Sequence, residues 1–112
     1  MTKVTLYLLP RGNTHHTGPD FYKFIDSTYK KELELPSELI QKGVILTFGD
    51  GEDSYHVCIQ EIHYLVNEAI TEVLCSYCNN DFNKMGIFGK KEFFDAFIKR
   101  LVADHWVVSD DN

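Results

Sequence analysis

The residues best equipped for chemistry are three cysteines and five histidines, and their spacing sorts most of them into two groups. Cys75 and Cys78 form a CxxC, with Cys58, His56 and His63 upstream. Zinc requires four such ligands converging as a tetrahedron, and a CxxC supplies two of them when it sits on a tight turn. Cys58, Cys75, Cys78 and one histidine are therefore a candidate set, although no second CxxC and no HxxxH accompanies them. A thioredoxin-type role needs the CxxC at a helix N-terminus, where the dipole stabilises a thiolate. Here the spacing places it in the last turn of a helix, where the dipole has the opposite sign. The second group is His15 and His16, in a Gly- and Pro-rich segment with Arg11 and Asp20 nearby. Adjacent loop histidines can supply a general base or a metal ligand, but vicinal side chains diverge unless the backbone turns. Either group would make the chain a metal-binding protein or a small enzyme.

A third feature competes with both. Residues 43 to 83 carry Asp50, Glu52, Asp53, Glu61, Glu68, Glu72 and Asp81, and no Lys or Arg. The whole chain has 11 basic against 17 acidic residues, a net charge of −6. That balance argues against direct nucleic-acid binding, which needs cations to neutralise phosphates. Unpaired carboxylates instead speed encounter with a basic protein and pair with its Lys and Arg on contact. Aromatic residues make up 13% of the chain and supply the side chains that anchor interfaces. The segment from Asp50 to Asp53 offers hard oxygens but lacks the twelve-residue spacing of a calcium loop. No phosphate-binding GxxxxGK[ST] occurs, and Gly86 to Gly89 is too short to replace it.

The partner-binding set expected from the sequence is therefore Glu61, Glu68 and Glu72, with Tyr64 as aromatic anchor and Asp50, Glu52 and Asp53 as a second acidic contact. The expected partner is a basic protein, such as a nuclease toxin or another nucleic-acid-binding protein. It would be occluded in the manner of an immunity protein or a nucleic-acid mimic, with no catalysis, metal or cofactor. A homodimer that buries the aromatic surplus is a further expectation.

The elements that must position these residues are read from periodicity. With 112 residues, 44% of them hydrophobic, the chain suits one soluble domain over residues 1–108 with a frayed tail over 109–112. An odd number of scattered cysteines fits a reducing cytoplasm. No apolar run approaches the roughly 20 residues of a membrane span, and the start MTKVTLYLLPRGN lacks a signal-cleavage site. Lys3 to Leu9 reads as a strand that stops at Pro10. Asp20 can cap a helix with Phe21, Phe24, Ile25 and Tyr29 at helical spacing, fading near Leu35 before Pro36. Pro36 to Lys42 fits one further helical turn ending at Gly43. Val44 to Phe48 and Tyr55 to Ile59 flank a Gly-Asp-Gly turn and read as a hairpin.

Ile62, Leu65, Val66, Ala69, Ile70, Val73 and Leu74 keep the i, i+3, i+4, i+7 spacing and predict a helix over about Glu61 to Tyr77, with a β-meander as the rival. On that helix Glu68 and Glu72 form an i, i+4 like-charge pair, which opposes it. Phe94, Phe97, Ile98, Leu101, Val102 and His105 predict a last helix from Lys90, followed by an extended Trp106 to Val108. The order β-α-β-β-α-α predicts an α+β domain, a short mostly antiparallel sheet packed by two to three helices.

Two short resemblances carry no functional residue over. Lys30 to Pro36 (KKELELP) resembles the end of the first helix in barstar-type ribonuclease inhibitors across seven residues. Leu6 to Thr14 is similar to the first strand and loop of histidine phosphatases. There, however, Arg11-Gly12 lacks the nucleophilic histidine which that family places between Arg and Gly.

Overall fold

The computed structural model describes residues 1–9, 11–12, 24–25, 28–51, 54–78 and 91–109. Its centre is a six-stranded mixed sheet built from β1 (Thr2–Leu8), β4 (Tyr29–Leu35), β5 (Ile45–Phe48), β6 (Tyr55–Leu65), β7 (Ile70–Tyr77) and β8 (Val107–Val108). Two short strands, β2 (Arg11–Gly12) and β3 (Phe24–Ile25), pair separately, and one helix, α1 (Lys91–Ala103), is described. The strand order is β5-β6-β7-β1-β4-β8, antiparallel throughout except for β1 beside β7.

Alternation assigns each strand's two faces. Val4, Leu6 and Leu8 of β1 face inward, as do Val73, Cys75 and Tyr77 of β7, Tyr55, Val57 and Ile59 of β6, and Leu46 of β5. The sheet curls around this core. Phe48 on β5 and Trp106 just before β8 belong to opposite edges, yet their rings meet edge-to-face with centroids 5.8 Å apart. Helix α1 fills the concave side, with Phe97 against Tyr55 and Tyr77 at centroid distances of 6.0 and 5.5 Å.

The C-terminus of α1 is closed by a Schellman motif. The Trp106 N–H donates to the Leu101 carbonyl (3.0 Å) and the His105 N–H to that of Val102 (3.1 Å). His105 occupies the left-handed position at φ 68°, where glycine is the usual residue. The turn delivers the buried Trp106 indole against Leu101 and the sheet.

This architecture corrects the expected α+β domain of two to three helices on a short, mostly antiparallel sheet. Two of the three predicted helices are not what the chain forms. The region expected as a helix over Glu61 to Tyr77 is a hairpin, β6 and β7 joined by a turn at Val66–Ala69. Its apolar residues repeat at spacings that suit a helix, but they also fill two strands around Asn67-Glu68. The β-branched Ile62, Ile70, Thr71 and Val73 favour the sheet, and so does the Glu68/Glu72 repulsion a helix would carry. A β-bulge between Ile59 and Glu61 hides the alternation, because the inward set shifts from Tyr55, Val57 and Ile59 to Ile62 and Tyr64.

The expected helix from Asp20 ends in strand β4 over Tyr29–Leu35, and Phe24–Ile25 is strand as well. Its alternation is masked because Lys31, in register with Leu6, points to the inner side among Tyr29, Leu33 and Leu35. The stretch that resembles a barstar-type helix end is therefore extended. Strand β1, the hairpin of β5 with the start of β6, a 3₁₀ turn at Ser37–Leu39, helix α1 and the extended Val107–Val108 agree with the sequence reading.

Candidate functional site

Strand alternation disperses the cysteine set. Cys75 points into the core and is fully buried, whereas Cys58 stands on the outer face opposite Ser76, and Cys78 lies half-buried just past β7. A CxxC on a strand end sends its two thiols to opposite faces, unlike one on a turn. Burial, with a smaller contribution from nearby Cys58, pushes the Cys75 thiol up to about 12, so it is poorly suited to supply a thiolate. Among the described residues no three His, Cys, Asp or Glu side chains gather to hold a metal. His15 and His16 lie outside the described residues, so the loop expectation stands as it was. His105 is an exposed turn residue instead of part of the helix's apolar stripe.

The acidic residues are arranged differently from a helix face. Asp50 sits in the turn before β6, and Glu68 in the turn after it. The eleven residues of β6 separate the two ends by about 30 Å at an ordinary strand rise. Asp50 is thus remote from Glu68, while Glu52 and Asp53 lie outside the described residues. Glu61, Tyr64, Glu68 and Glu72, in contrast, all lie on the β6–β7 hairpin. Glu61 and Glu72 share the outer face with His63, whose Nε2 is 3.0 Å from the Glu61 carboxylate. Tyr64 projects to the other side, next to Ile62.

Register shows a larger acidic surface than sequence order suggests. Glu32 of β4, Thr5 of β1, Glu72 of β7 and His63 of β6 form one row across four strands of the outer face. Glu34 lies two residues beyond Glu32 with Lys3 across from it, and Lys30 lies two residues to the other side on the same face. Sequence reasoning missed Glu32 and Glu34 because they were assigned to a helix in a Lys-containing segment. Recognising β4 as an alternating strand would have found them.

The same hairpin exposes apolar side chains that its length of strand would normally bury. Ile62 is 37% exposed, Tyr64 58%, Val66 76% and Ile70 41%. The reason is strand length. β5 pairs only with Tyr55 to Cys58, and Gly43 and Val44 extend that contact to Ile59. Beyond the bulge, no described strand flanks Glu61 to Leu65 on the side away from β7.

Two grooves lie along β1, the first at its C-terminal end and the second at its N-terminal end beside the hairpin turn. One, of about 270 Å³, is lined by Tyr7, Leu9, Thr28, Glu72, Leu74 and Ser109. The other, of about 260 Å³, runs from Lys3 and Glu32 to Ala69 and Thr71. Both fall below the ~300 Å³ at which small-molecule sites begin.

The opposite end of the molecule is closed by a polar network. The Tyr55 hydroxyl donates to the Asp104 carboxylate and accepts from Trp106 Nε1 at 2.7 Å. Lys31 Nζ donates to the Asp104 carbonyl, and its charge lies 3.9 Å from the carboxylate. Burial chiefly, then the bond to Asp104, raises the Tyr55 pKa above its ordinary value. Here a Lys, an Asp and a Tyr meet, and they tie β4, β6 and the end of α1 together. Among the described residues no helix is long and apolar enough to cross a membrane. No family model, curated protein or solved structure matches the chain.

Proposed function

We propose that the protein is a binding module that docks a basic protein, such as a nuclease or another nucleic-acid-binding protein, on the acidic end of its sheet and acts by occlusion. The observation that carries this reading is the β6–β7 hairpin, where exposed Ile62, Tyr64, Val66 and Ile70 are bordered by Glu61, Glu68 and Glu72 and no Lys or Arg occurs between residues 43 and 83. Apolar anchors bordered mainly by carboxylates, with Lys3 the nearby base across the groove at Ala69 to Thr71, are the composition of a docking surface. The carboxylates steer a cationic partner, and the aromatic and aliphatic side chains supply the contact area. All three cysteines are thiols, which suits work in a reducing compartment.

The test is affinity capture from a lysate at about 50 mM and about 500 mM salt, since screening at the higher value weakens contacts between exposed charges. A Glu61→Lys/Glu68→Lys/Glu72→Lys variant, shown to be folded by circular dichroism, serves as the control. The expected result is a basic protein held by the natural chain, released by salt and lost from the variant. Identical capture by both chains would sink the proposal.

A further inference from the structure

We propose that the partner contributes an extended segment which pairs, as an added strand, with the outer edge of β6 over Glu61 to Leu65. This rests on the docking function above and specifies its mode. Backbone groups on an open strand edge need hydrogen-bond partners, and in a folded protein they are supplied by a strand, a cover or water. Over Glu61 to Leu65 no described strand supplies them, although β5 does so along the preceding four residues, Tyr55 to Cys58. The open stretch follows the bulge in the β6–β7 ladder, and the contact from Gly43 and Val44 before β5 reaches only as far as Ile59.

The side chains along that edge define what the added strand carries. Glu61 and His63 project to the outer face with Glu72 beside them, while Ile62 and Tyr64 project to the other side. A strand lying alongside has the same two-residue period, and its cross-strand neighbours set its preferences. Lys or Arg therefore belongs at the position facing Glu61, with Glu72 of β7 one strand further in behind His63. Aliphatic or aromatic residues belong at the alternate positions, against Ile62 and Tyr64. The fitting segment is about five residues long and alternates basic with apolar.

A second copy of this chain fits the edge poorly. Antiparallel self-pairing about His63 would match Ile62 with Tyr64, but it would set the two His63 rings against each other and gather two sets of Glu61 and Glu72 on one face with no Lys or Arg among them. Glu61 and the charged outer row thus protect the edge from self-association while leaving it open to a cationic strand.

The experiment uses the full chain and two blocked peptides of identical composition. One alternates lysine with valine and tyrosine; the other has all its lysines in a single block. Binding is measured by calorimetry at about 50 mM salt, and backbone amide exchange is followed residue by residue. Strand addition predicts that the alternating peptide binds about tenfold more tightly than the block peptide. It also predicts slowed exchange at amides within Glu61 to Leu65 and weakened binding by Glu61→Lys/Glu72→Lys. Equal binding of the two peptides, with no new amide protection, overturns strand addition but leaves charge-driven docking standing. Failure of both peptides to bind also overturns it, and lysate capture then decides the docking reading alone.

Discussion

The two ends of β6 carry opposite kinds of structure. At its start Tyr55 is buried, stacked on Phe48 with centroids 5.4 Å apart and hydrogen-bonded to both Asp104 and Trp106. At its finish Tyr64 stands in solvent on an edge without a described neighbour. Both tyrosines project to the same side of the sheet, so orientation does not explain the difference. Cover does. The start of β6 is flanked by β5, roofed by α1 and sealed by Trp106; among the described strands the finish is flanked by β7 alone. Stability is therefore concentrated at one end, and surface available for recognition at the other.

The strongest challenge to this contrast is removal of the seal. Trp106→Ala deletes the ring that joins the two sheet edges and strips a hydrogen bond from Tyr55, and is expected to destabilise by about 4 kcal/mol. Chemical denaturation monitored by far-UV circular dichroism measures it. Asp104→Ala keeps the apolar packing but leaves the Tyr55 hydroxyl and the Lys31 charge without their carboxylate; a loss of about 2 kcal/mol is expected by the same assay. Losses below about 0.5 kcal/mol for both variants would mean that the closed end is not where stability resides.

Alkaline titration tests the buried side from another direction. Burial keeps the proton on Cys75, whose pKa is raised from 9.0 to about 12, so the folded chain holds that proton more tightly than the unfolded chain does. Its contribution to stability is complete below pH 9 and disappears as pH rises towards 12. Tyr55 and Tyr77, raised chiefly by burial above their ordinary 10.0, add to the loss at higher pH. Cys75→Ala should flatten the fall in denaturation midpoint between about pH 9 and pH 10 while leaving the steeper tyrosine region intact.

A smaller effect of opposite sign is expected at the helix end. His105 holds a left-handed conformation that disfavours a side chain, so His105→Gly should raise stability by about 0.5–1 kcal/mol, read as an increase in Tm. The smallest effects belong to the open end. Ile62→Ser and Tyr64→Ser should each alter stability by less than about 0.5 kcal/mol, because neither side chain is buried. Yet each should weaken partner capture. A large stability loss in either would show that the hairpin end is core and not a docking surface.

Legibility from sequence followed the same division. β1, the hairpin of β5 with the first half of β6, and α1 have uninterrupted periods, and each can be read from local pattern. β4 could not, because Lys31 occupies an inward position that the alternation rule reserves for an apolar residue; its partner Asp104 lies 73 residues away. β6 and β7 could not, because the bulge resets the alternation and the remaining apolar spacing imitates a helix. Glu61, Tyr64, Glu68 and Glu72 were identifiable as a group because charge and aromatic content are properties of composition. Their two-sided arrangement on a strand edge, and the addition of Glu32 and Glu34, depend on pairings between distant segments.

The parallel contact between β1 and β7 carries a consequence for how the chain reaches this state. Val4 is in register with Thr71, and Leu8 with Cys75, so the N-terminal strand occupies the middle of the sheet beside one of its late strands. During synthesis the β1–β4 pair can form early but must wait, with one edge unfilled, until β7 emerges. The antiparallel β5-β6-β7 ladder closes through short turns and can assemble by itself. Docking of these two halves along a five-pair parallel seam is then the step that creates the core, and its long loop closure places folding towards the slower end for a chain of this size.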